Sequence, residues 1–252
     1  MRIAINTNSL KALPLDAALA HIQVSGVRCV EVTTDSKVHA YECMTPNTVI
    51  NMPFPWDYGL KCVCMSGGWC DFARADMDAL PIQIVLAKYM GTDKIRLFLS
   101  NPHVEAHPSA KNIDTAVLSL GTAADIYPTT YLLIENHGGI TATASMLYEV
   151  LLKIAKPNVG TVFDPVNYMM SGQDPVEAIS TLSGWIKHVH VKDIKDDELC
   201  AVGEGTAPWK EILEELAAIG YDGCLSVEHE GAGDPIKGML MSITTLERLL
   251  YG

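Results

Sequence analysis

Positively charged side chains are scarce in this sequence of 252 residues, in which 18 lysines and arginines stand against 30 aspartates and glutamates and the formal net charge is −12. Proteins that bind nucleic acid neutralise its phosphates with clustered lysine and arginine, so this balance disfavours such a partner. The charge does not identify a substrate. We therefore expect no nucleic acid among the partners of this protein.

Long apolar runs are missing as well. No window approaches the roughly 18 consecutive apolar residues of a membrane-spanning helix, although 48% of the residues are hydrophobic. The first residues, MRIAIN, have the pattern of a strand and lack the apolar run and small-residue cleavage site of a signal peptide. These absences predict a soluble, cytoplasmic protein without a membrane partner.

Cysteines with the spacing of a zinc knuckle are also lacking. The seven cysteines are scattered, and only Cys62 and Cys64 have the alternate spacing of one face of a strand. An odd, scattered set is typical of reduced thiols buried in a core. Cys70, beside Trp69, is the one candidate for lining a site, with a plain core position as the alternative.

The chain has instead a regular alternation of strand-like and helical patterns. The strand-like runs are Arg2–Ile5, Arg28–Thr33, Leu60–Met65, Lys94–Ser100, Tyr131–Glu135, Val159–Phe163, His188–Val191 and Cys224–Glu228. Amphipathic helical patterns cover Ala75–Met90, Ala110–Ile126, Ser145–Ala155, Pro208–Ile219 and Ile236–Leu250. The segment Asp35–Leu60, which follows the second strand-like run, is predicted to form a short helix and an extended loop over the mouth of the barrel.

Strand and helix in alternation favour a parallel sheet, and roughly 250 residues is the typical length of an eight-fold β/α barrel. No segment rich in proline, glycine or serine divides the chain. We predict an α/β fold, a (β/α)8 TIM barrel, with a single domain over residues 1–252.

Four successive strand-like runs end in residues that bind divalent metals, namely Glu135, Asp164, His190 and Glu228. Parallel strands bring such ends together at one face of a barrel, where barrel enzymes keep their catalytic residues. Three carboxylates and an imidazole suit Mn, Mg, Co or Zn. Each residue taken alone could merely end a strand, but four placed alike favour one metal site.

Strand alternation assigns further residues to the same face. If His190 points into the barrel, His188 and Lys192 share its side, whereas Val189 and Val191 face the helices. The same rule places His137 with Glu135, and Glu230 with Glu228. The polar residues therefore converge on one interior.

Five segments carry a family resemblance. They are Glu135-Asn-His-Gly-Gly, Gly160-Thr-Val-Phe-Asp-Pro-Val-Asn167, His188-Val-His-Val-Lys-Asp193, Gly203-Glu-Gly205 and Gly220-Tyr-Asp-Gly-Cys-Leu-Ser-Val-Glu-His-Glu230. In this order they resemble the xylose isomerase-like barrel superfamily of sugar phosphate isomerases and epimerases. That superfamily also includes inosose and dehydroshikimate dehydratases and apurinic endonucleases. The resemblance covers nearly the whole chain.

The resemblance implies one divalent metal ion held by Glu135, Asp164, His190 and Glu228. It also implies that Glu135 and Glu228 are the catalytic acid/base pair on opposite faces of the substrate. A metal that holds two oxygens of a ketose acidifies the neighbouring C–H bond, so a carboxylate can move the proton while the metal stabilises an enediolate.

The predicted substrate-binding residues are His137, Asn167, His188, Lys192 and Glu204. Each has a structural alternative: a core histidine for His137 and His188, an ion pair with Asp193 or another acid for Lys192, and a solvated loop acid for Glu204. Glu31, at the end of the second strand, is a further candidate for substrate contact.

Two positions depart from the relatives. Ketose 3-epimerases usually have a histidine and an arginine where this chain has Asn167 and Asp196. The apurinic endonucleases need extra histidines that are missing here, so DNA repair is disfavoured. The broader metal-dependent class is unaffected by either departure.

We expect an isomerase or epimerase that acts on a small sugar, sugar acid or related keto compound through a metal-bound enediolate. A dehydratase is the first alternative, because loss of a β-hydroxyl after proton removal gives dehydration. A non-catalytic sugar-binding barrel is the second, and it would keep an aromatic mouth of Trp56, Tyr58 and Trp69. Related barrels form dimers or tetramers, so the resemblance also implies a homo-oligomer.

Overall fold

The computed structural model describes residues 1–34, 53–67, 70–100 and 109–252, and within them it forms a closed barrel of eight parallel strands. The barrel strands are β1 (Arg2–Asn6), β2 (Cys29–Thr33), β3 (Lys61–Ser66), β4 (Lys94–Leu97), β5 (Tyr131–Glu135), β6 (Val159–Phe163), β7 (Ile186–Val191) and β10 (Cys224–Val227). A short antiparallel hairpin, β8 (Asp193–Lys195) and β9 (Glu198–Cys200), follows β7.

Parallel pairing between the first and last barrel strands closes the ring. Ile5 of β1 lies opposite Val227 of β10 on one side and opposite Val30 of β2 on the other. Every pair around the ring is parallel, so the C-terminal ends of all eight strands open on one face. The predicted (β/α)8 TIM barrel is confirmed.

Eight α-helices lie in the described ranges and surround the barrel. They are α1 (Leu15–Val24), α2 (Leu80–Met90), α3 (Ala110–Ile126), α4 (Ala144–Ile154), α5 (Pro165–Met170), α6 (Pro175–Leu182), α7 (Trp209–Ala218) and α8 (Pro235–Tyr251). Single turns of 3₁₀ helix occur at Thr7–Leu10, Pro55–Tyr58, Phe72–Arg74 and Gly139–Thr141. In the described ranges no helix has both the length and the apolar character needed to cross a membrane.

The main hydrophobic core lies between the barrel strands and the helices. Val189 and Val191 are fully buried in it, as alternation predicted, while His190 points to the interior of the barrel. A second, small cluster of Ala4, Cys29, Val63 and Cys224 fills the interior near the N-terminal ends of the strands. The barrel is thus apolar at its base, and polar side chains collect near its C-terminal mouth.

Two predicted element boundaries differ clearly from the structure. The helix expected from Ala75 begins at Leu80, because Asp71 and Asp76 form a bridge and Ala75 has a left-handed backbone with φ of 59°. The fourth strand ends at Leu97 instead of Ser100. The hairpin of β8 and β9 was not predicted. Most of the predicted loop Asp35–Leu60, and Trp69, lie outside the described residues.

Candidate metal site

Four buried side chains meet at the C-terminal ends of the last four barrel strands. Glu135 ends β5, Asp164 follows β6, His190 lies in β7 and Glu228 follows β10. Each offers one ligand atom, and these atoms lie within 4.8 Å of one another. All four residues are at most 5% exposed. The structure therefore brings together the four residues predicted as ligands, which we call the metal group.

His190 points one ring nitrogen at the three carboxylates. Its Nδ1 atom lies 3.1 Å from Glu135 Oε1, 3.3 Å from Glu228 Oε2 and 4.0 Å from Asp164 Oδ2. Burial alone would lower the pKa of His190, but the negative charges of Glu31, Glu228 and Glu135 raise it well above its usual value. Without a cation, the imidazolium itself balances part of the negative charge.

Asp164 has two different oxygens because it begins helix α5. Its Oδ1 atom accepts a hydrogen bond from the backbone N–H of Asn167 at 3.0 Å, an N-cap reinforced by Pro165 at the first helical position. Its Oδ2 atom is buried and accepts no hydrogen bond; Lys192 Nζ lies 2.9 Å away as an ion-pair partner. This oxygen is directed at the centre of the metal group.

These features fit a divalent cation. Buried carboxylates need a compensating charge. Asp164 Oδ2, which accepts no hydrogen bond, is an oxygen that a cation can bind. Oxygen and imidazole ligands suit Mn, Mg, Co or Zn, whereas thiolates are absent from the group. The metal group can therefore hold one such ion, and its donor set does not select among them.

Glu228 is held by amides on one oxygen and approached by a cation on the other. Asn6 and Asn8 each donate a hydrogen bond of 3.2 Å to Glu228 Oε1, and Lys192 Nζ lies 3.7 Å from Oε2. Burial would raise the pKa of Glu228, but His190, by charge and hydrogen bond, and Lys192 lower it. Glu228 is therefore ionised at neutral pH.

Lys192 is a buried ammonium among acids. Besides Asp164 and Glu228, its Nζ atom lies 3.3 Å from Glu230 Oε2. Burial would lower the pKa of Lys192, but these three carboxylates raise it well above its usual value. Of the structural alternatives, the ion pair with other acids is present, while Asp193 instead accepts hydrogen bonds from backbone N–H groups.

Glu135 is paired with an arginine that the sequence analysis missed. Arg96, one residue before the end of β4, has its Nε atom 3.4 Å from Glu135 Oε2, and its guanidinium carbon lies 4.2 Å from the centre of the Phe98 ring. Burial would raise the pKa of Glu135, but the charges of His190 and Arg96 hold it well below its usual range. Both glutamates of the metal group are thus ionised at neutral pH.

His137 and Asn167 lie at the rim beside Glu135. Asn167 Nδ2 lies 3.4 Å from Glu135 Oε1 and 3.2 Å from His137 Nδ1. His137 is half-buried, and its ring packs 5.0 Å from that of Phe98. Both side chains therefore border the metal group, and their role in substrate binding stays a prediction.

His188 lies deeper in the barrel, beneath His190. Its Nε2 atom lies 2.9 Å from Glu31 Oε2, and both residues are almost fully buried. Burial would raise the pKa of Glu31, but the charges of His190 and His188 and their hydrogen bonds lower it well below its usual value. This position favours a supporting role for His188 over contact with a substrate, and its predicted role in binding stays a prediction.

Glu204 is exposed and lies apart from the metal group. It lines a cavity of about 440 Å³ whose described walls include Lys195, His229 and Lys237 and none of the metal group. The glycines on either side of Glu204 contact Asp193. The Asp193 carboxylate accepts hydrogen bonds from the backbone N–H groups of Gly203 and Gly205, and a Cβ atom on Gly205 would collide with that carboxylate. A role for Glu204 in substrate binding stays a prediction.

Three further residues named in the sequence analysis can also be placed. Cys70 is buried in the main core, and burial raises its pKa to about 12, so it has the properties of a packing residue. Asp196, which stands where ketose 3-epimerases have an arginine, forms the turn of the β8–β9 hairpin with φ of 52°. Trp56 is 50% exposed and stacks on Phe54.

The chain is thus a closed eight-stranded β/α barrel with a candidate metal site of three carboxylates and one histidine buried at its C-terminal mouth. The model of the family described as xylose isomerase-like TIM barrel matches residues 57–249 of this chain. The chain belongs to that family.

Relatives of known sequence match shorter stretches. An uncharacterised protein of Methanocaldococcus jannaschii is 34% identical over 105 residues, which is 40% of this chain and 36% of the relative. An inosose dehydratase of Lacticaseibacillus casei is 29% identical over 126 residues, 42% of each chain. A 3-dehydroshikimate dehydratase of Bacillus anthracis is 28% identical over 182 residues, 64% of this chain and 65% of the relative. The chain thus spans less than two thirds of the length of these relatives.

Solved structures share the fold over nearly the whole chain. An L-ribulose 3-epimerase superposes with a TM-score of 0.82 at 19% identity and covers 99% of this chain and 94% of its own. A probable 3-dehydroshikimate dehydratase of Bacillus anthracis superposes with a TM-score of 0.80 at 19% identity and covers 98% of each chain. At such identities the likeness establishes the fold alone.

Proposed function

We propose that this protein is a divalent-metal-dependent isomerase or epimerase of a small sugar, sugar acid or related polyhydroxylated keto compound. One observation carries the proposal: Glu135 and Glu228 project from strands three steps apart and both approach the same nitrogen of His190, at 3.1 and 3.3 Å. Two ionised carboxylates that approach one point from different strands are suited to remove and return a proton.

The four residues of the metal group would hold the ion. When bound, a divalent cation supplies Lewis acidity that polarises a carbonyl and makes the neighbouring C–H bond more acidic. The metal identity follows from neither fold nor donor set, and Mn, Mg, Co and Zn all suit these ligands.

The protein's own residues supply the proton chemistry. Glu135, kept ionised by His190 and Arg96, accepts a proton from the substrate carbon on its side. Glu228 faces the other side and returns to the product a proton taken up from solvent, while the Lys192 ammonium 3.7 Å away balances negative charge there. His137 and Asn167, at the rim beside Glu135, bind hydroxyl groups and orient the substrate.

Solvent isotope exchange tests this proposal directly. The protein, loaded with Mn²⁺, is incubated in heavy water with a panel of pentuloses, hexuloses and the corresponding sugar acids, and the products are analysed by NMR and mass spectrometry. We expect deuterium at the carbon next to the carbonyl of at least one compound, together with an isomer or epimer. Absence of exchange across the panel with fully loaded protein would remove the support for this chemistry.

Dehydration is the second candidate. The dehydratases of Lacticaseibacillus casei and Bacillus anthracis are similar in sequence to this chain. The Lys192 ammonium, 3.7 Å from Glu228, is also placed to form a hydrogen bond with a leaving hydroxyl group. The same experiment separates the two candidates, because a dehydratase gives a product 18 mass units lighter, the mass of water, with the absorbance of a conjugated carbonyl.

Two further expectations concern partners. The charge of −12 supports the absence of nucleic-acid binding, and a DNA titration at several salt concentrations should show no steep salt dependence. We also propose that the protein is a homo-oligomer in the cytoplasm. Light scattering after size exclusion measures the assembly, and a monomer at micromolar concentration would contradict it.

A further inference from the structure

Glu31 lies beneath the metal group, on the opposite side of His190 from the three carboxylates. Its two oxygens, Oε1 and Oε2, are 3.0 and 3.1 Å from His190 Nε2, whereas His190 Nδ1 faces Glu135 and Glu228. The imidazole ring therefore connects Glu31 to the metal group. Glu31 is fully buried, and the imidazole of His190 lies between it and the carboxylates of Glu135 and Glu228.

We propose that Glu31 is a positioning residue that acts through His190. This inference rests on the proposed metal site. A neutral imidazole carries its proton on one nitrogen only, and a carboxylate next to Nε2 accepts that proton in a hydrogen bond. The lone pair is then on Nδ1, directed at the metal. Glu31 thus fixes both the tautomer and the orientation of the ring, as the outer partners of metal-bound histidines do.

The contacts of Glu31 require a carboxylate. Oε2 also accepts a hydrogen bond from His188 Nε2 at 2.9 Å, and Oε1 accepts one from the Ser66 hydroxyl at 2.5 Å. One carboxylate thus accepts hydrogen bonds from two histidines on its two oxygens. A glutamine of the same shape has a single acceptor oxygen, and its NH₂ group would face one imidazole and favour a lone pair there. At His190 that change would place the proton on Nδ1, where it blocks the metal.

Ser66 connects this arrangement to the other side of the metal group. Its hydroxyl accepts a hydrogen bond of 3.1 Å from Arg96 Nε, and the same Arg96 atom lies 3.4 Å from Glu135 Oε2. The chain of contacts runs from Glu135 through Arg96 and Ser66 to Glu31 and His190. Two ligands of the proposed ion are therefore held by one buried network.

A different role for Glu31 is also conceivable in chemical terms. Glu31, Cys64 and His188 offer ligand atoms within 4.8 Å of one another, which is the geometry of a second metal site. Both oxygens of Glu31, however, already accept hydrogen bonds from the histidines, and burial raises the pKa of the Cys64 thiol well above its usual value. The contacts favour positioning of His190, and metal stoichiometry distinguishes the two roles.

The test compares Glu31→Gln and Glu31→Asp with a matched control, Thr161→Val. Thr161 is fully buried and donates a hydrogen bond of 2.6 Å to the Ile134 carbonyl, so its variant loses a buried polar contact away from His190. Each protein is titrated with Co²⁺ alone while the visible absorption bands of the bound ion are recorded. Thermal unfolding of the metal-free proteins is measured in parallel.

We expect Glu31→Gln to lower Co²⁺ affinity by about 10- to 100-fold and to change the absorption bands, because the imidazole ligand is misplaced. Glu31→Asp keeps the carboxylate and should recover part of the affinity and the original bands. Thr161→Val should lower the unfolding temperature and leave affinity and spectrum unchanged. If Glu31→Gln does not fold, the comparison of Glu31→Asp with Thr161→Val still decides, because only the former should weaken metal binding.

Other outcomes would overturn the inference. Wild-type affinity and spectrum in Glu31→Gln would show that His190 needs no such partner. Equal losses of affinity in the Glu31 variants and in Thr161→Val would show a merely structural role. Two Co²⁺ ions per wild-type chain, with one lost in Cys64→Ser, would make Glu31 a ligand instead. Failure of the wild-type protein to bind Co²⁺ would instead remove the proposed metal site itself.

Discussion

The first four and the last four strands of the barrel contribute differently to the candidate site. Strands β5, β6, β7 and β10 supply all of the metal group. Strands β1 to β4 supply none of it; their side chains instead bind the ligands or each other. These side chains are Asn6 on Glu228, Glu31 on His190, Ser66 on Glu31 and Arg96 on Glu135.

This division has a physical cause. A divalent ion needs several negative oxygens close together, and buried carboxylates stay in place only when their remaining oxygens are hydrogen-bonded or paired. One half of the barrel therefore supplies charge and the other half satisfies it. Changes in the ligand half should remove the metal, whereas changes in the supporting half should only misplace its ligands.

The family resemblance follows the same division. The match to the family model begins at residue 57 of this chain. It therefore includes the ligand half, strands β5, β6, β7 and β10, and excludes β1 and β2, which carry Asn6 and Glu31. The ligands thus lie in the part of the chain that establishes the family, while two supporting residues lie outside it. Mutations on the two sides of the barrel can test whether this contrast is real.

The largest effect is expected for the ligands Asp164 and His190. Replacing either by alanine should abolish binding of the divalent ion and activity, and the protein should remain folded because its stability resides in the packed layers below the mouth. Elemental analysis of the purified proteins and their thermal unfolding measure both. An unchanged metal content in these variants would contradict the assignment.

The Asp164 variant needs a matched control because Asp164 also caps helix α5. Asp174 caps α6 in the same way, through hydrogen bonds to the N–H groups of Val176 and Glu177, and it is remote from the metal group. Loss of either cap should cost about 1 kcal/mol of stability. Only Asp164→Ala should lose the metal as well.

A smaller effect is expected for Glu135→Gln and Glu228→Gln at saturating metal. Glutamine is nearly isosteric but cannot accept the substrate proton, so turnover should fall by about 10²- to 10⁴-fold, the usual loss of general acid–base catalysis. Steady-state kinetics over a range of metal concentrations separates this effect from weaker metal binding. Full recovery of turnover with excess metal would mean that both glutamates are only ligands.

Sequence patterns sufficed to select the four residues of the metal group because each lies at or next to the end of an apolar strand. Asn6 ends β1 and Arg96 lies one residue before the end of β4, and both were nevertheless missed. An amide or a guanidinium at a strand end is equally well explained by solvent, and its role depends on a distant partner: Asn6 and Glu228 are 222 positions apart in sequence. Only the closed barrel brings them together.

Local backbone conformation explains the other differences. The β8–β9 hairpin turns at Asp196 and Asp197, both in the left-handed region with φ of 52° and 64°. Such turns are usually identified by Asn-Gly or Asp-Gly, and Asp-Asp does not carry that signal. Ala75 likewise has a positive φ that its residue type does not indicate, so the helix was predicted five residues too early.

Metal affinity should also depend on pH, through His190. Glu31, Glu228 and Glu135 together outweigh burial and raise the pKa of His190 well above its usual value in the metal-free protein. A cation at Nδ1 must displace that proton, so the apparent affinity should rise with pH by about tenfold per unit below that pKa and level off above it.

Calorimetric titration with Mn²⁺ at several pH values measures this dependence, and buffers with different ionisation enthalpies count the protons released. Asp164→Ala provides the blank without a metal site. An affinity that does not change with pH, without proton release, would mean that the imidazole is neutral before the metal binds.

The smallest effect should come from the supporting half, at Asn8. Asn8 Nδ2 donates to Glu228 Oε1 and Glu230 Oε1, at 3.2 Å each, while Asn6 keeps its own hydrogen bond to Glu228. Asn8→Ala should therefore lower turnover by only about two- to tenfold, the value of one hydrogen bond, and leave the metal content unchanged.

Asn158→Ala is the matched control. Asn158 lies just before β6, at the base of the barrel, and its Nδ2 atom donates hydrogen bonds to the carbonyls of Ala124, Tyr127 and Thr130. It should lower the unfolding temperature without changing turnover at saturating metal. The two variants thus remove the same side chain, once beside Glu228 and once far from it. If Asn8→Ala lost the metal as completely as Asp164→Ala does, the supporting half would be as essential as the ligand half, and the contrast between them would be wrong.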